Sequence, residues 1–459
     1  MSIQGNSDAK SLTFTSMSIM EFILPVVWFI GLFWSISKLD FFKRGPFSSQ
    51  SLQLAFGVRV AMGFLLFLIY SLYYPVRQDA DTFKYFDDSK YMYEAFWTNP
   101  LDYFKMLFGV DCHSEHFNSH YFNNMSNWVR SYDNGLFNDN RLVIRVNAFL
   151  RLFSFGNYHV HSIILSYLAF MGSFALAKVF FEVSKSKSLS YIAVFLVPSV
   201  VFWSSGILKE AILLSAMGFF VYHFYQLFGE NRRYRNYVMV FFMSCILIVM
   251  KLYVFIALIP AIFIWFTVKK WKRSWWIYIG MYTLFLAIGT LIGELNPRLD
   301  FVNLIVDKQR QFINLSNFYD VNSGFHLEAL SYNLWSVVKA SPEGLFNVLT
   351  KPWASEVNSI LFVPAFLENI IFIALLIIAL VYRKALDVND WDFVAFCLSF
   401  CIILFVVIGL TTPITGAIVR YKIPAIPFLF MAVFMFMDHS KLPKTLLENK
   451  LARWINTFL

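Results

Sequence analysis

Two carboxylates, Asp79 and Asp81, stand at an i, i+2 spacing just past an apolar stretch that ends near residue 74, and Asp87-Asp88 follow them. On extended backbone this spacing sends both side chains to one face. A carboxylate there can take the proton of an acceptor hydroxyl, or help hold a divalent cation against a phosphate. The plain structural alternative is an acidic helix cap. A second group is cationic: Lys209 closes the run Ser204-Ser205-Gly206-Ile207-Leu208 ahead of Glu210, and Arg420 and Lys422 follow Gly416-Ala417-Ile418-Val419. The planar guanidinium fork suits phosphate oxygens and an ammonium adds a compact charge, so these three are candidates for gripping a lipid phosphate or pyrophosphate. Lys209 can equally pair with Glu210 or with a carboxylate across the bundle, and Arg420 and Lys422 can reach out to headgroups.

Three further features carry candidates. On a helix, His113, His116 and His120 would share a face and present imidazoles to a metal, although no zinc spacing is met. Arg141 and Arg145, in the stretch Asn138 to Arg151 with Arg130 close before it, would serve as acceptor or glycan contacts, or as the basic face of an amphipathic helix on anionic lipid. Glu368 falls well inside an apolar segment, where a carboxylate must be paired, protonated or facing a cavity; Lys351 and Lys251 are the partners in view.

The elements that position these groups are membrane helices. Of 459 residues, 58% are hydrophobic, 20% aromatic and only 15% charged, with a mean hydropathy of +0.58, which excludes a soluble globule. Apolar stretches near the length needed to span hydrocarbon occur around 18–38, 51–74, 158–182, 189–204, 207–228, 275–294, 358–382, 392–411 and 416–437. The stretch 236–268 is interrupted by Lys251. Two short helices turning at Lys251 put the cationic short loops, Lys269 to Arg273 among them, on one side; a single long helix would break that asymmetry. The expectation is an all-α polytopic membrane protein, a single integral domain over 1–459 with about eleven transmembrane helices. Two large extracytoplasmic loops, 75–157 and 295–357, would carry amphipathic helices near 91–108, 303–318 and 325–350. The N-terminus would lie outside, as a retained first helix, and the C-terminus in the cytoplasm.

The net charge of +9 follows this topological bias, and no basic tract with interleaved aromatics suggests a nucleic-acid partner. Cys245, Cys397 and Cys401 fall inside the apolar segments and only Cys112 in an outer loop, so no disulfide framework is implied. No internal duplication of the kind found in many secondary transporters is visible.

The acidic pair, the run Pro198 to Glu210, the end of the second insertion at Lys351-Pro352-Trp353 and the segment Gly416 to Pro424 resemble bacterial membrane proteins of surface-polysaccharide gene clusters. More broadly, the layout is similar to the GT-C class of glycosyltransferases, which use polyprenyl-phosphate sugars. That resemblance implies a bacterial inner-membrane protein that transfers a sugar from a polyprenyl-phosphate-linked saccharide to an acceptor on the outer face. Asp79 or Asp81 would be base or metal partner, and Arg420, Lys422 and Lys209 would bind the carrier phosphate. A divalent cation is a possible cofactor, membrane lipids are the surrounding partner, and protein partners are unknown. The class usually places its acidic loop after the first span; here it follows the second. An O-antigen or capsule repeat-unit polymerase is the neighbouring alternative, and a transporter or flippase of lipid-linked saccharide the alternative of another class.

Overall fold

The structure is a computed structural model and describes residues 19–74, 76–77, 80–128, 138–229, 233–270, 275–319, 323–357 and 359–442. Among these residues it is all helical, with two isolated β-bridges and no strand. The chain opens with α1 (Ile19–Lys38), a short α2 (Asp40–Lys43) and α3 (Ser49–Tyr73). The first insertion folds into α4 (Asp81–Thr98), α5 (Pro100–Phe108), α6 (Glu115–His120) and α7 (Asp139–Ser154). Local sequence sets these ends. Asn99 caps α5 ahead of Pro100, whose missing N–H costs nothing at a helix start, and Gly109 closes it with a left-handed φ of 73°.

The bundle continues through α8 (Tyr158–Ser184), capped by Asn157, then α9 (Lys187–Tyr191), a π turn and α10 (Pro198–Trp203). It goes on to α11 (Lys209–Gln226) and α12 (Tyr234–Lys270). α12 is not one rod. At Lys251 its backbone leaves helical geometry, with φ −154° and ψ 84°. His223 Nδ1 on α11 lies 2.9 Å from Asn236 Oδ1, while the Tyr225 ring stacks 5.7 Å from that of Trp265. A straight helix would hold residues 236 and 265 roughly 44 Å apart at 1.5 Å per residue, yet both touch the same end of α11. The chain therefore doubles back at Lys251, leaving that residue at the other end, where α11 begins.

The remaining helices are α13 (Trp275–Leu295), α14 (Phe301–Tyr319), α15 (Leu334–Thr350), α16 (Val363–Val381), α17 (Val388–Thr411), α18 (Thr415–Tyr421) and α19 (Ile426–Phe436). Among the described residues seven helices are long and apolar enough to cross a membrane, and the pair α18 and α19, bent by 68°, brings the number to eight when counted as one broken span. Their flanks carry exposed Phe, Ile, Leu and Val, as lipid-facing surfaces do, and the chain is an integral membrane protein.

The second insertion departs from a surface loop. α15 lies along α17, the backbones closing at Gly344 and Gly409, where a side chain on either would meet the other's main chain. Its last carbonyls, Thr350 and Lys351, accept from Asn369 Nδ2 at 3.2 and 2.7 Å. Asn369 is well along α16, about 9 Å from its start at Val363. α15 therefore dips into the bundle and the chain turns back at Lys351.

Candidate functional site

One end of the bundle gathers ionisable side chains from four separated stretches. α11 starts there because Gly206, at φ 76°, lets the chain turn sharply after α10, and its N–H is taken by Ser166 Oγ at 3.1 Å. The turn delivers Lys209 and Glu210 on the first residues of the helix, both buried. α18 brings Arg420 against them, α4 brings Asp81 at its first residue and α7 brings Asp139 at its first.

Arg420 sits between two carboxylates. Its Nη1 donates to Asp81 Oδ2 at 2.9 Å, and its Nε lies 2.8 Å from Glu210 Oε1. The second contact is charge against charge more than a well-aimed hydrogen bond, and neither buried Glu210 oxygen receives a hydrogen bond among the described residues. Exposure divides the two acids: the Glu210 side chain is 2% exposed and that of Asp81 40%. Beside them Lys209 Nζ pairs with Asp139 Oδ2 at 2.7 Å. Burial alone would raise the Asp81 carboxyl, but the charges of Arg420 and Lys209 and the Arg420 hydrogen bond outweigh it and hold it at about 2. Asp81 is thus ionised throughout the neutral range.

Aromatic rings wall the cluster. Arg420 stands 5.9 Å from the Trp203 ring, Lys209 5.6 Å from Tyr85, and Tyr421 and Tyr253 flank Lys251. Tyr70 and Tyr253 both lie within electrostatic range of Arg420 and Glu210. Such an arrangement can bind an anion by exchange of carboxylate partners or orient a hydroxyl.

The structure therefore joins Asp81, Lys209 and Arg420. Asp79 lies outside the described residues. Asp139 is a member that the sequence did not single out and Glu210 one that it offered only as a neighbour of Lys209, since the partners of both are distant in the chain.

Lys422 is a correction. It does not join the group at Arg420; its Nζ donates to Asn369 Oδ1 at 3.0 Å and to the carbonyls of Val348 and Lys351 at 3.3 and 3.5 Å. An ammonium at the carbonyl end of α15 offsets the negative end of that helix. Glu368 is another: in place of Lys351 or Lys251, it accepts from Ser199 N at 2.8 Å and Ser199 Oγ at 2.6 Å at the start of α10, where unpaired N–H groups need an acceptor. Lys351 pairs instead with Glu356.

Arg141 and Arg145 turn inward. Their Nε groups donate to Trp128 O at 3.0 Å and Met106 O at 2.8 Å, and both guanidinium groups lie about 5 Å from the Trp128 ring. Arg151 is buried between Ser89 and Phe86 O, so these arginines bind the first insertion together. The three histidines do not gather as one group: the His116 and His120 rings lie 4.6 Å apart, but His116 Nε2 pairs with Asp102 at 2.7 Å, His120 Nδ1 meets His116 O at 2.9 Å, and His113 precedes α6. Among the described residues no group of three or more His, Cys, Asp or Glu is placed to hold a metal ion. Compared with protein-family models, curated proteins and solved structures, the chain matches none.

Proposed function

We propose that this protein is a membrane glycosyltransferase that moves a sugar from a polyprenyl-phosphate-linked donor to an acceptor on the outer face of a bacterial inner membrane. The observation that carries this reading is the convergence of Asp81, Asp139, Lys209, Glu210 and Arg420 at one end of an apolar helical bundle, with Asp81 the open member. A donor of this class presents a phosphate attached to a sugar at the depth where lipid and water meet, and the cluster supplies both signs of charge there.

In the reaction, the bond between the anomeric carbon and the phosphate oxygen breaks and the acceptor oxygen bonds to that carbon. The acceptor proton passes to a carboxylate, and the phosphate leaves on its lipid. A carboxylate held at about 2 is a weak base, so Asp81 suits orienting the hydroxyl and taking its proton late, once the new bond is well formed. Arg420 stabilises the charge that develops on the departing phosphate while Glu210 holds it in place.

The matching topology has eleven crossings. It counts the two halves of α12 separately, the broken α9 to α10 segment and α11 as further crossings, and α18 with α19 as one. The turn at Lys251 then lies outside with the cluster, the N-terminus is outside, and the C-terminal tail and the loops holding Lys185, Lys187, Arg233 and Arg383 are cytoplasmic.

A repeat-unit polymerase is the second reading, favoured by one feature. The second insertion is stitched to the segment before Arg420: Phe325 N donates to Pro413 O and Thr415 N to Ser323 O, both at 2.9 Å. That gives the cluster a wall on which a second, growing glycan can rest. The test is transfer by the full chain in lipid nanodiscs, from a polyprenyl-phosphate sugar to a soluble acceptor and from lipid-linked repeat units to a polymer. Product in the first assay supports the transferase and polymer in the second the polymerase. Passage of lipid-linked saccharide across the bilayer with no new glycosidic bond in either assay contradicts both and leaves transport.

A further inference from the structure

The cations that the sequence offered for phosphate are already engaged. Arg420 holds two carboxylates, Lys209 holds Asp139, and Lys422 is spent on the end of α15. Lys251 is different. It occupies the fold-back of α12 on non-helical backbone, at the end of the bundle where α11 begins. Its ammonium lies 4.0 Å from the centre of the Tyr421 ring and 5.6 Å from that of Tyr253, and no carboxylate is within ion-pair distance of it among the described residues. Tyr421 immediately follows Arg420 and is within electrostatic range of Lys251, Arg420 and Glu210 alike, so this cation lies beside the ion cluster.

We propose that Lys251 is the phosphate-receiving residue of this site, held ready over two tyrosine rings and met first by a phosphomonoester or phosphodiester group entering from the lipid. A cation lying over aromatic faces is attracted without being neutralised, so its charge stays available to an arriving anion. Making a cation at a membrane end both partly buried and unpaired is costly, and an anionic ligand supplies what the protein leaves out. Arg420 needs to release only Asp81, its exposed partner, to join Lys251 on the same phosphate, while its contact with the buried Glu210 is kept. The inference rests on the reading of the cluster as a site for lipid phosphate.

Lys84, which is within electrostatic range of Asp81 and has no carboxylate partner within ion-pair distance among the described residues, serves as the comparison. The experiment measures binding of polyprenyl phosphate and, separately, of inorganic phosphate to the full chain in nanodiscs, for the wild type, Lys251→Met, Lys251→Gln, Lys251→Arg and Lys84→Met, with a melting temperature for each. Loss of one charge-assisted contact should weaken polyprenyl-phosphate binding by about tenfold or more in the Met and Gln variants, and the Arg variant should retain most of it. Weakening of inorganic phosphate by the same factor would point to free phosphate as a sufficient ligand, and weakening confined to the lipid would point to the headgroup; both support Lys251. Unchanged binding in folded Lys251→Met or Lys251→Gln, or a loss that falls on Lys84→Met instead, overturns it. The proposal separates from the function above. Binding lost at Lys251 with no sugar transfer by the wild type keeps the residue and rejects the transferase. Wild-type transfer with an unchanged donor KM in Lys251→Met keeps the transferase and rejects the residue.

Discussion

Two buried clusters in this molecule use Lys, Glu and their partners to different ends. Around Lys422 and Glu368, each charge terminates a helix: the ammonium meets Asn369 Oδ1 and carbonyls at the end of α15, and the carboxylate meets the first N–H and a hydroxyl of α10. Around Arg420, each charge meets another charge, and one carboxylate remains open to solvent. Backbone partners are fixed once the fold forms, whereas charge partners can be exchanged for a charged ligand. Burial alone therefore does not tell the two clusters apart; the kind of partner does.

The contrast can be broken by substitution. The largest effect is expected for Arg420→Met, which strands Glu210 in the interior beside Asp81. The uncompensated buried charge should cost about 3 to 5 kcal/mol, read as a lowered unfolding midpoint, and transfer should vanish in whatever protein folds. Next is Lys422→Met, which removes the plug of α15 and leaves several acceptors without a donor. A loss of about 1 to 3 kcal/mol is expected, with transfer per folded molecule kept near wild type. Abolished transfer in a fully stable Lys422→Met protein would erase the distinction between the clusters.

Glu368→Gln should be milder, about 1 kcal/mol, because the amide oxygen still accepts one of the two Ser199 bonds. It too should spare transfer. The smallest effect concerns pH. The Asp81 carboxyl is depressed from 3.8 to about 2, so its pairing contributes stability in full above 3.8 and loses it as pH falls through about 2. The difference in melting temperature between wild type and Asp81→Asn should accordingly be flat from neutral pH down to about 5 and shrink below it. A difference that changes between pH 5 and 8 would contradict the pairing.

Much of this architecture was legible in the residues, through arguments of different strength. The reversal at Lys251 followed from charge asymmetry, because cations are retained on one side of a membrane, and the backbone breaks at that residue. Asp81 and Arg420 were legible one by one, as charges beside apolar segments. Their pairing was not, since a separation of 339 residues leaves no local pattern. Glu210 looked like a local partner for Lys209, yet the two neighbours diverge to Arg420 and Asp139. The stretch from Asn138 to Arg151 looked like a basic surface because its arginines repeat; the aromatic and carbonyl groups that draw them inward lie elsewhere in the insertion. The dip of α15 was hidden for a similar reason. Its amphipathic pattern fits a membrane surface as well as the flank of α17, and the close approach of Gly344 and Gly409 and the Asn369 bonds to the end of α15 distinguish them.

The most direct measurement is sugar transfer by Asp81→Asn beside the wild type, in nanodiscs with a polyprenyl-phosphate sugar donor and with melting temperatures recorded for both. The asparagine keeps the shape of the side chain and removes its charge and its capacity to take a proton. A folded Asp81→Asn protein is expected to lose about a hundredfold or more of the transfer rate, the usual scale for a positioned acid or base. Transfer at the wild-type rate from that folded variant would contradict the assignment of this cluster as the reaction centre.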